Sequence, residues 1–524
     1  MGAQGAASGP DFSAGIPIDD IPEGKTVAGR VGDEPVLLSR FDGELVAVSG
    51  GCTHYGAPLR DGLFDGETVR CPWHHACFSL RTGAALRAPA LDPLDRWQVD
   101  VEGGRAFVRS RMDAAPGPGG AAPAEVERVV IVGGGAAGLA CASELRRLGY
   151  AGAITMVSAD NDPPCDRPNL SKDYLAGTAP EEWLPLRPAD WYEQNRIELR
   201  LGAEVQRIDA AERRVHLGGA ELPYDRLLLA TGSEPNRLRE PGFDADNVFT
   251  LRSLTDATAI AEQAKAGGRA AIVGSSFIGM EAAAALRKRG VEVTVVAPEH
   301  VPFERVFGAE IGGWLQRLHE KNGVRFHLGT VASSLEGRQL KLANGESVEA
   351  DFVLVGIGVR PRAELAQAAG IPADGAVPVD AFLETSLRGV FAAGDIAAYP
   401  DALTGEPVRI EHWVHAERQG QIAAANMLGQ RKRFDAVPFF WTEQFGVALR
   451  YVGHASSWDR VEVDGDIEGG DFIARYYEGG DHRASAAVGR DLEILEDERG
   501  FERMIADKSA KSGEPRETAG IESA

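Results

Sequence analysis

Up to residue 112 the apolar positions come in short runs broken by polar turns. Pro35-Val36-Leu37-Leu38-Ser39-Arg40 is followed by Asp42-Gly43 and then by Glu44-Leu45-Val46-Ala47-Val48. Asp-Gly between two apolar runs signals a hairpin, because both residues tolerate the positive φ of a tight turn. The pattern predicts a small all-β domain over residues 1–112. Residues 113–126 carry no periodicity and are rich in Pro and Gly, the composition of a linker. From residue 127 the rhythm changes to strand, glycine loop, helix. Arg128-Val129-Val130-Ile131-Val132 reads as a buried parallel strand. Gly133-Gly134-Gly135-Ala136-Ala137-Gly138 follows at once and opens a helix from Leu139 to Leu148. The arrangement recurs at Ala270-Ala271-Ile272-Val273, then Gly274-Ser275-Ser276-Phe277-Ile278-Gly279, a helix through Arg289 and a strand from Val291 to Val296.

Each glycine loop sits where a dinucleotide cradle requires it. Glycines let the backbone approach a pyrophosphate, and the helix N-terminus offers unpaired N–H groups to its charge. Either copy alone could be a tight turn without a ligand; two copies in one chain favour two dinucleotides. A length of 524 residues admits three or four domains. The net charge of −23 argues against nucleic acid or an anionic membrane as partner, since phosphate binding needs a basic face. No run of apolar residues is long enough for a membrane-spanning helix. The opening residues show no charged segment followed by an apolar run, so no secretory signal is expected and the expected compartment is the cytoplasm.

Two Cys/His pairs stand in the first domain: Cys52-Thr53-His54 and Cys71-Pro72-Trp73-His74. Two Cys and two His can make a zinc site, but zinc pairs are usually spaced C-x2-C and H-x3-5-H. C-x-H followed by C-x2-H is the ligand pattern of a Rieske 2Fe-2S centre, with two thiolates on one iron and two imidazoles on the other. Cys52, His54, Cys71 and His74 are therefore the expected metal ligands, which leaves Cys77, Cys141 and Cys165 as reduced thiols.

Further motifs carry a family resemblance. Asp166-Arg167-Pro168-Asn169-Leu170-Ser171-Lys172, Ala230-Thr231-Gly232, Val355-Gly356-Ile357-Gly358-Val359-Arg360-Pro361, Phe391-Ala392-Ala393-Gly394-Asp395, Glu411-His412-Trp413 and Phe440-Trp441-Thr442-Glu443-Gln444 occur in that order. Together with the glycine loops they resemble the two-dinucleotide flavoprotein reductases. In particular the chain resembles the ferredoxin reductases of oxygenase systems and the apoptosis-inducing-factor-like proteins with an N-terminal Rieske domain.

The resemblance implies a multidomain fold: an all-β Rieske domain, an α/β FAD-binding domain over 127–245 and 376–436, an NAD(P)-binding domain over 246–375, an α+β C-terminal domain over 437–510, and a disordered tail at 511–524. It implies FAD contacts from Gly133, Gly135, Ala136, Ala137, Gly138, Asp160, Arg167, Ala230, Thr231, Gly232, Gly358, Gly394, Asp395, His412, Trp413 and Trp441. NAD(P)H contacts are implied for Gly274, Phe277, Ile278, Gly279 and Glu299. Lys172 and Glu281 would be catalytic, the first beside the flavin ring and the second near the nicotinamide.

Two departures stand out. The middle glycine of the second loop is Ser276, and the strand after it ends Val295-Val296-Ala297-Pro298-Glu299, two residues late for an acid that holds the adenosine ribose. NADH is still favoured over NADPH, since no arginine pair offers itself to a 2′-phosphate; Arg305 is the one cation there that would take one. Disulfide reductases of this architecture need a close redox Cys pair, and Cys141 and Cys165 are too far apart in sequence. Their peroxide-reducing relatives carry a catalytic Cys where this chain has Lys172. The resemblance thus implies an NAD(P)H-dependent reductase that passes hydride to FAD and then single electrons through its own Rieske cluster to an external protein, a ferredoxin, oxygenase or cytochrome. The alternative is a redox-sensing protein of the apoptosis-inducing-factor type, in which FAD and NADH control conformation and partner binding.

Overall fold

The computed structural model describes residues 8–112 and 125–512. All but two residues of the expected linker, and all but two of the expected tail, lie outside them. The N-terminal part is all β, as its alternation requires. A six-stranded antiparallel sheet runs in the order Ile16–Pro17, Arg105–Met112, Arg96–Glu102, Glu44–Ser49, Glu34–Phe41, Lys25–Val31. The hairpin read from Asp42-Gly43 is present: both residues have positive φ, 54° and 79°, and Phe41 pairs with Glu44 across it. A smaller four-stranded sheet, Leu63–Asp65, Thr68–Arg70, Cys77–Ser79 and Ala85–Arg87, carries the second Cys/His pair on its central turn.

Each glycine loop opens one parallel α/β unit. In the first, the strand order is Ile197–Arg200, Ala153–Val157, Arg128–Val132, Arg226–Leu229, Val390–Ala392; in the second it is Val324–Leu328, Glu292–Ala297, Arg269–Val273, Phe352–Val355, Val248–Phe249. In both, the glycine-loop strand is central and the chain order reverses beside it, so the crevice at its carboxyl end is the switch point where such sheets take ligands. The helix after the first loop begins at Ala136, earlier than the Leu139 read from the sequence, because the loop's last residues already have helical geometry. Helix Trp413–Met427 crosses this helix through Gly420, where a Cβ would come within 2.2 Å of Ala137 O; only glycine lets the two backbones meet.

The return to the first unit, expected at residue 376, comes earlier in the packing: Ala363, Ala366 and Ile371 are buried in the first unit's core. The C-terminal part is a five-stranded antiparallel sheet, Phe439–Gln444, Val447–Gly453, Asp481–Val488, Asp471–Glu478, Arg460–Asp466, followed by helix Asp491–Ser512. Among the described residues no helix is long and apolar enough to cross a membrane.

Candidate redox site

A cavity of about 1150 Å³ runs from the first glycine loop to the second unit. Its floor is the strand-to-helix turn Gly133–Ala137. Gly133 has φ 120°, and a Cβ there would lie 2.0 Å from Ala230 O, so the turn can be this tight only with glycine. The first helix has no side-chain cap on Gly135, which leaves its leading N–H groups facing the cavity. Asp160 stands at the rim, paired with Arg167 at 2.8 Å. Thr231, Gly358 and Asp395 also line the cavity, as do His412 and Trp413 where the helix Trp413–Met427 begins. Burial lowers the His412 pKa to about 4, so its ring is neutral. A long groove with a glycine-built, donor-rich floor at a switch point is what a dinucleotide of FAD size needs.

Four sequence-predicted residues do not line this cavity, and each has a physical reason. Gly138 and Gly279 face their own loops: a Cβ would meet Gly133 O at 2.1 Å and Gly274 O at 2.3 Å. They are packing glycines that bring helix and strand together. Gly274, with φ 114°, lies against Gly356 O. Glu299 sits beside the second loop instead, its carboxylate 3.5 Å from the Ser275 hydroxyl and 3.7 Å from Arg305. Ser276 is accommodated because its position is extended, φ −99° and ψ −166°, much like Gly135 in the first loop. No left-handed backbone demands glycine there.

Where the two units meet, Lys172 Nζ lies 2.8 Å from the Glu281 carboxylate, which also accepts hydrogen bonds from Ser171 at 2.5 Å and Thr442 at 2.7 Å. Three donors from two segments, Ser171-Lys172 and the strand with Thr442, hold this buried carboxylate in place. Sequence reasoning missed Arg252, which lines the cavity and pairs with Asp395 at 2.8 Å; it stands in a stretch without a motif.

The Cys/His pairs lie on twin loops. Cys52 N–H donates to Ala57 O (2.9 Å) and Gly56 N–H to Cys52 O (2.9 Å); Cys71 N–H donates to Ala76 O (2.8 Å) and His75 N–H to Cys71 O (3.2 Å). The two loops face each other, so the Cys52 and Cys71 thiols interact and the His54 and His74 Nδ1 atoms stand 3.2 Å apart. Burial takes the His54 pKa down to about 3 and that of His74 well below its ordinary value. Both imidazoles are therefore neutral, the state that gives a lone pair to a metal. Among the described residues no three such donors gather round one point. The donors divide two by two, sulfur with sulfur and nitrogen with nitrogen, which suits a two-iron cluster of Rieske type and not a tetrahedral zinc ion. All five cysteines are free.

The two sites adjoin. Trp441, which lines the cavity, packs against His74 with ring centroids 4.2 Å apart, and Lys172 Nζ lies 6.0 Å from the centre of the same indole. Tyr55 stacks on His54 at 3.9 Å and donates its hydroxyl to Asp166, the first residue of the segment that ends in Lys172. Away from the rings, Arg450 Nε donates to Trp73 O at 3.0 Å and Arg187 pairs with Asp92 at 2.6 Å.

Residues 127–420 match the family model described as pyridine nucleotide-disulphide oxidoreductase, residues 14–98 the Rieske [2Fe-2S] domain, and residues 439–517 the reductase C-terminal domain. The human protein named apoptosis-inducing factor 3 is 37% identical over 497 residues, covering 90% of this chain and 81% of that protein. The ferredoxin–NAD(+) reductase component of the anthranilate 1,2-dioxygenase system of Burkholderia cepacia is 39% identical over 373 residues, 69% of this chain and 91% of its own. Among solved structures, a covalent putidaredoxin reductase–putidaredoxin complex aligns with TM-score 0.70 and 33% identity, over 73% of this chain and 96% of that one. These matches fall on the segments that build the cavity and the twin loops. The chain belongs to the pyridine nucleotide-disulphide oxidoreductase family, as a flavoprotein reductase of the ferredoxin–NAD reductase kind fused to a Rieske [2Fe-2S] domain.

Proposed function

We propose that this chain oxidises NADH and delivers the electrons one at a time, through its own Rieske domain, to a ferredoxin-type protein. The observation that carries the reading is the contact between Trp441 and His74: one indole borders the cavity and touches a cluster ligand. FAD in the cavity would supply the step from two-electron to one-electron chemistry. The protein's part is electrostatic and positional. Lys172, steadied by Glu281, places an ammonium where negative charge grows as hydride arrives. Phe277 and Ile278 border the entrance from the second unit, beside Glu281. Glu299, at the mouth of the second glycine loop, disfavours a 2′-phosphate by like charge, which supports NADH as donor over NADPH.

A ferredoxin-type acceptor is supported by the names of the relatives, and an oxygenase or cytochrome would stand further along the same route. The test is anaerobic mixing of the holoprotein with NADH, followed by absorbance and by electron paramagnetic resonance. Bleaching of the flavin followed by the rhombic signal of a reduced Rieske centre is the expected course. A long-lived charge-transfer complex with the cluster still oxidised would sink the reading and favour conformational control by bound NADH.

A further inference from the structure

His75 is buried and has φ 61°, a left-handed conformation that a non-glycine residue rarely adopts. The equivalent position of the twin loop is Gly56, with φ 76°. Strain of this kind persists where the surroundings over-determine it, and the surroundings of His75 come from the reductase. Its Nδ1 is 2.8 Å from the Glu498 carboxylate and its ring stacks on Phe439 with centroids 3.9 Å apart. Arg418 reaches both its carbonyl oxygen, at 3.3 Å, and Glu498, at 3.0 Å.

One helical turn on, Glu502 takes a two-point hydrogen bond from Arg70 at 3.0 and 2.6 Å, and a further one from Arg87. Glu498 is fully buried. Burial opposes its charge, but Arg418 and His75 hold its carboxyl well below the usual range. Nothing in NADH oxidation or cluster ligation uses this network. It joins three Rieske residues, Arg70, His75 and Arg87, to the C-terminal helix and to Arg418.

We infer that Glu498 and Glu502 on the C-terminal helix form a latch that docks the Rieske domain on the reductase, and that His75 is the strained catch by which the latch holds His74 against Trp441. Glu498, Glu502 and His75 are thus positioning residues for flavin-to-cluster transfer. The docked domain covers the Trp441 face, so an external acceptor takes its electrons from the cluster and not from the flavin. The inference rests on the function proposed above.

Two holoprotein variants test it. Glu502→Lys sets a cation against Arg70 and Arg87, and Arg87→Glu in that background offers the new lysine a partner. His75→Gly removes the catch while giving the loop the residue its twin already uses. Both variants should load FAD and cluster, and flavin bleaching by NADH should keep its wild-type rate. Cluster reduction should slow about tenfold, in proportion to the time spent undocked, and recover in the Glu502→Lys/Arg87→Glu pair. Hydrogen exchange, which needs no turnover, should rise in both variants at residues 71–78 and on the facing strand 439–444. Wild-type cluster reduction in both variants, or unchanged exchange at that interface, would overturn the latch. If NADH never reduces the cluster even in the wild type, the proposed function fails, while the exchange comparison still decides the docking.

Discussion

Trp441 is where the ring of a Rieske-domain histidine meets the cavity of the reductase. Strand alternation puts it on the same side as Phe439, with ring centroids 6.2 Å apart, while Phe440 and Thr442 turn to the other side, toward Phe277 and Glu281. One strand thus serves cluster and cavity at once. Replacing Trp441 by alanine should leave Cys52, His54, Cys71, His74 and the Lys172–Glu281 pair in place but open a gap beside His74. NADH should then bleach the flavin while cluster reduction lags about tenfold or more, with Trp441→Phe falling between; stopped-flow traces at equal flavin content make the comparison. Equal cluster rates in all three proteins would show that electrons bypass the indole. The sequence announces residues of this kind well when they belong to a motif, as Lys172, Asp395 and Trp441 do. Arg252, beside Asp395, has no such local signature, and Ser276 departs from the motif at a position whose extended backbone does not require glycine.

At the scale of elements, strand–loop–helix order was plain from the residues because its causes are local: an apolar run, a glycine turn, a helix start. Contacts between distant elements are not encoded in this way. The C-terminal helix reads as an ordinary charged face, and Glu498 and Glu502 find their partners 423 and 432 residues away. Helix Glu304–Lys321 gives a second case. Its His319 is buried and donates Nε2–H to Gln444 Oε1 at 2.7 Å, tying the second unit to the strand that carries Trp441.

Burial lowers the pKa of His319 to about 4, below the ordinary value near 6.5. The folded protein keeps this ring neutral where the unfolded chain protonates it. Its contribution to stability is therefore full above pH 6.5 and is lost as pH falls toward 4, on the order of 3 kcal/mol in all. His319→Gln keeps a donor for Gln444 and cannot take a proton. Thermal melts at neutral and mildly acid pH should show a smaller acid loss in the variant than in the wild type. An equal loss in both proteins would assign the acid sensitivity to other buried groups.

At the scale of the whole molecule, the chain bears a net charge of −23, yet its inner junction is made of buried and half-buried opposite charges. Salt screens exposed charges over about 8 Å at physiological strength and reaches buried pairs far less. Raising the salt from about 0.05 to 0.5 M should therefore leave flavin-to-cluster transfer within about twofold. Onward transfer to a separate ferredoxin, which depends on encounter between charged surfaces, should change several-fold over the same range. Parallel stopped-flow series, one with NADH alone and one with added ferredoxin, measure the two. A steep salt dependence of the first would mean that the domains part and meet again in each cycle.

The contact between His74 and Trp441 has a kinetic corollary. In a reductase whose iron–sulfur protein is a separate chain, each reduction waits for a collision, and its frequency falls with the product of two concentrations. Here the first acceptor is tethered at the outlet, and the step becomes unimolecular. Dilution should leave its half-time unchanged, so a cell making few copies of this protein would still have every copy fully wired from nicotinamide to iron.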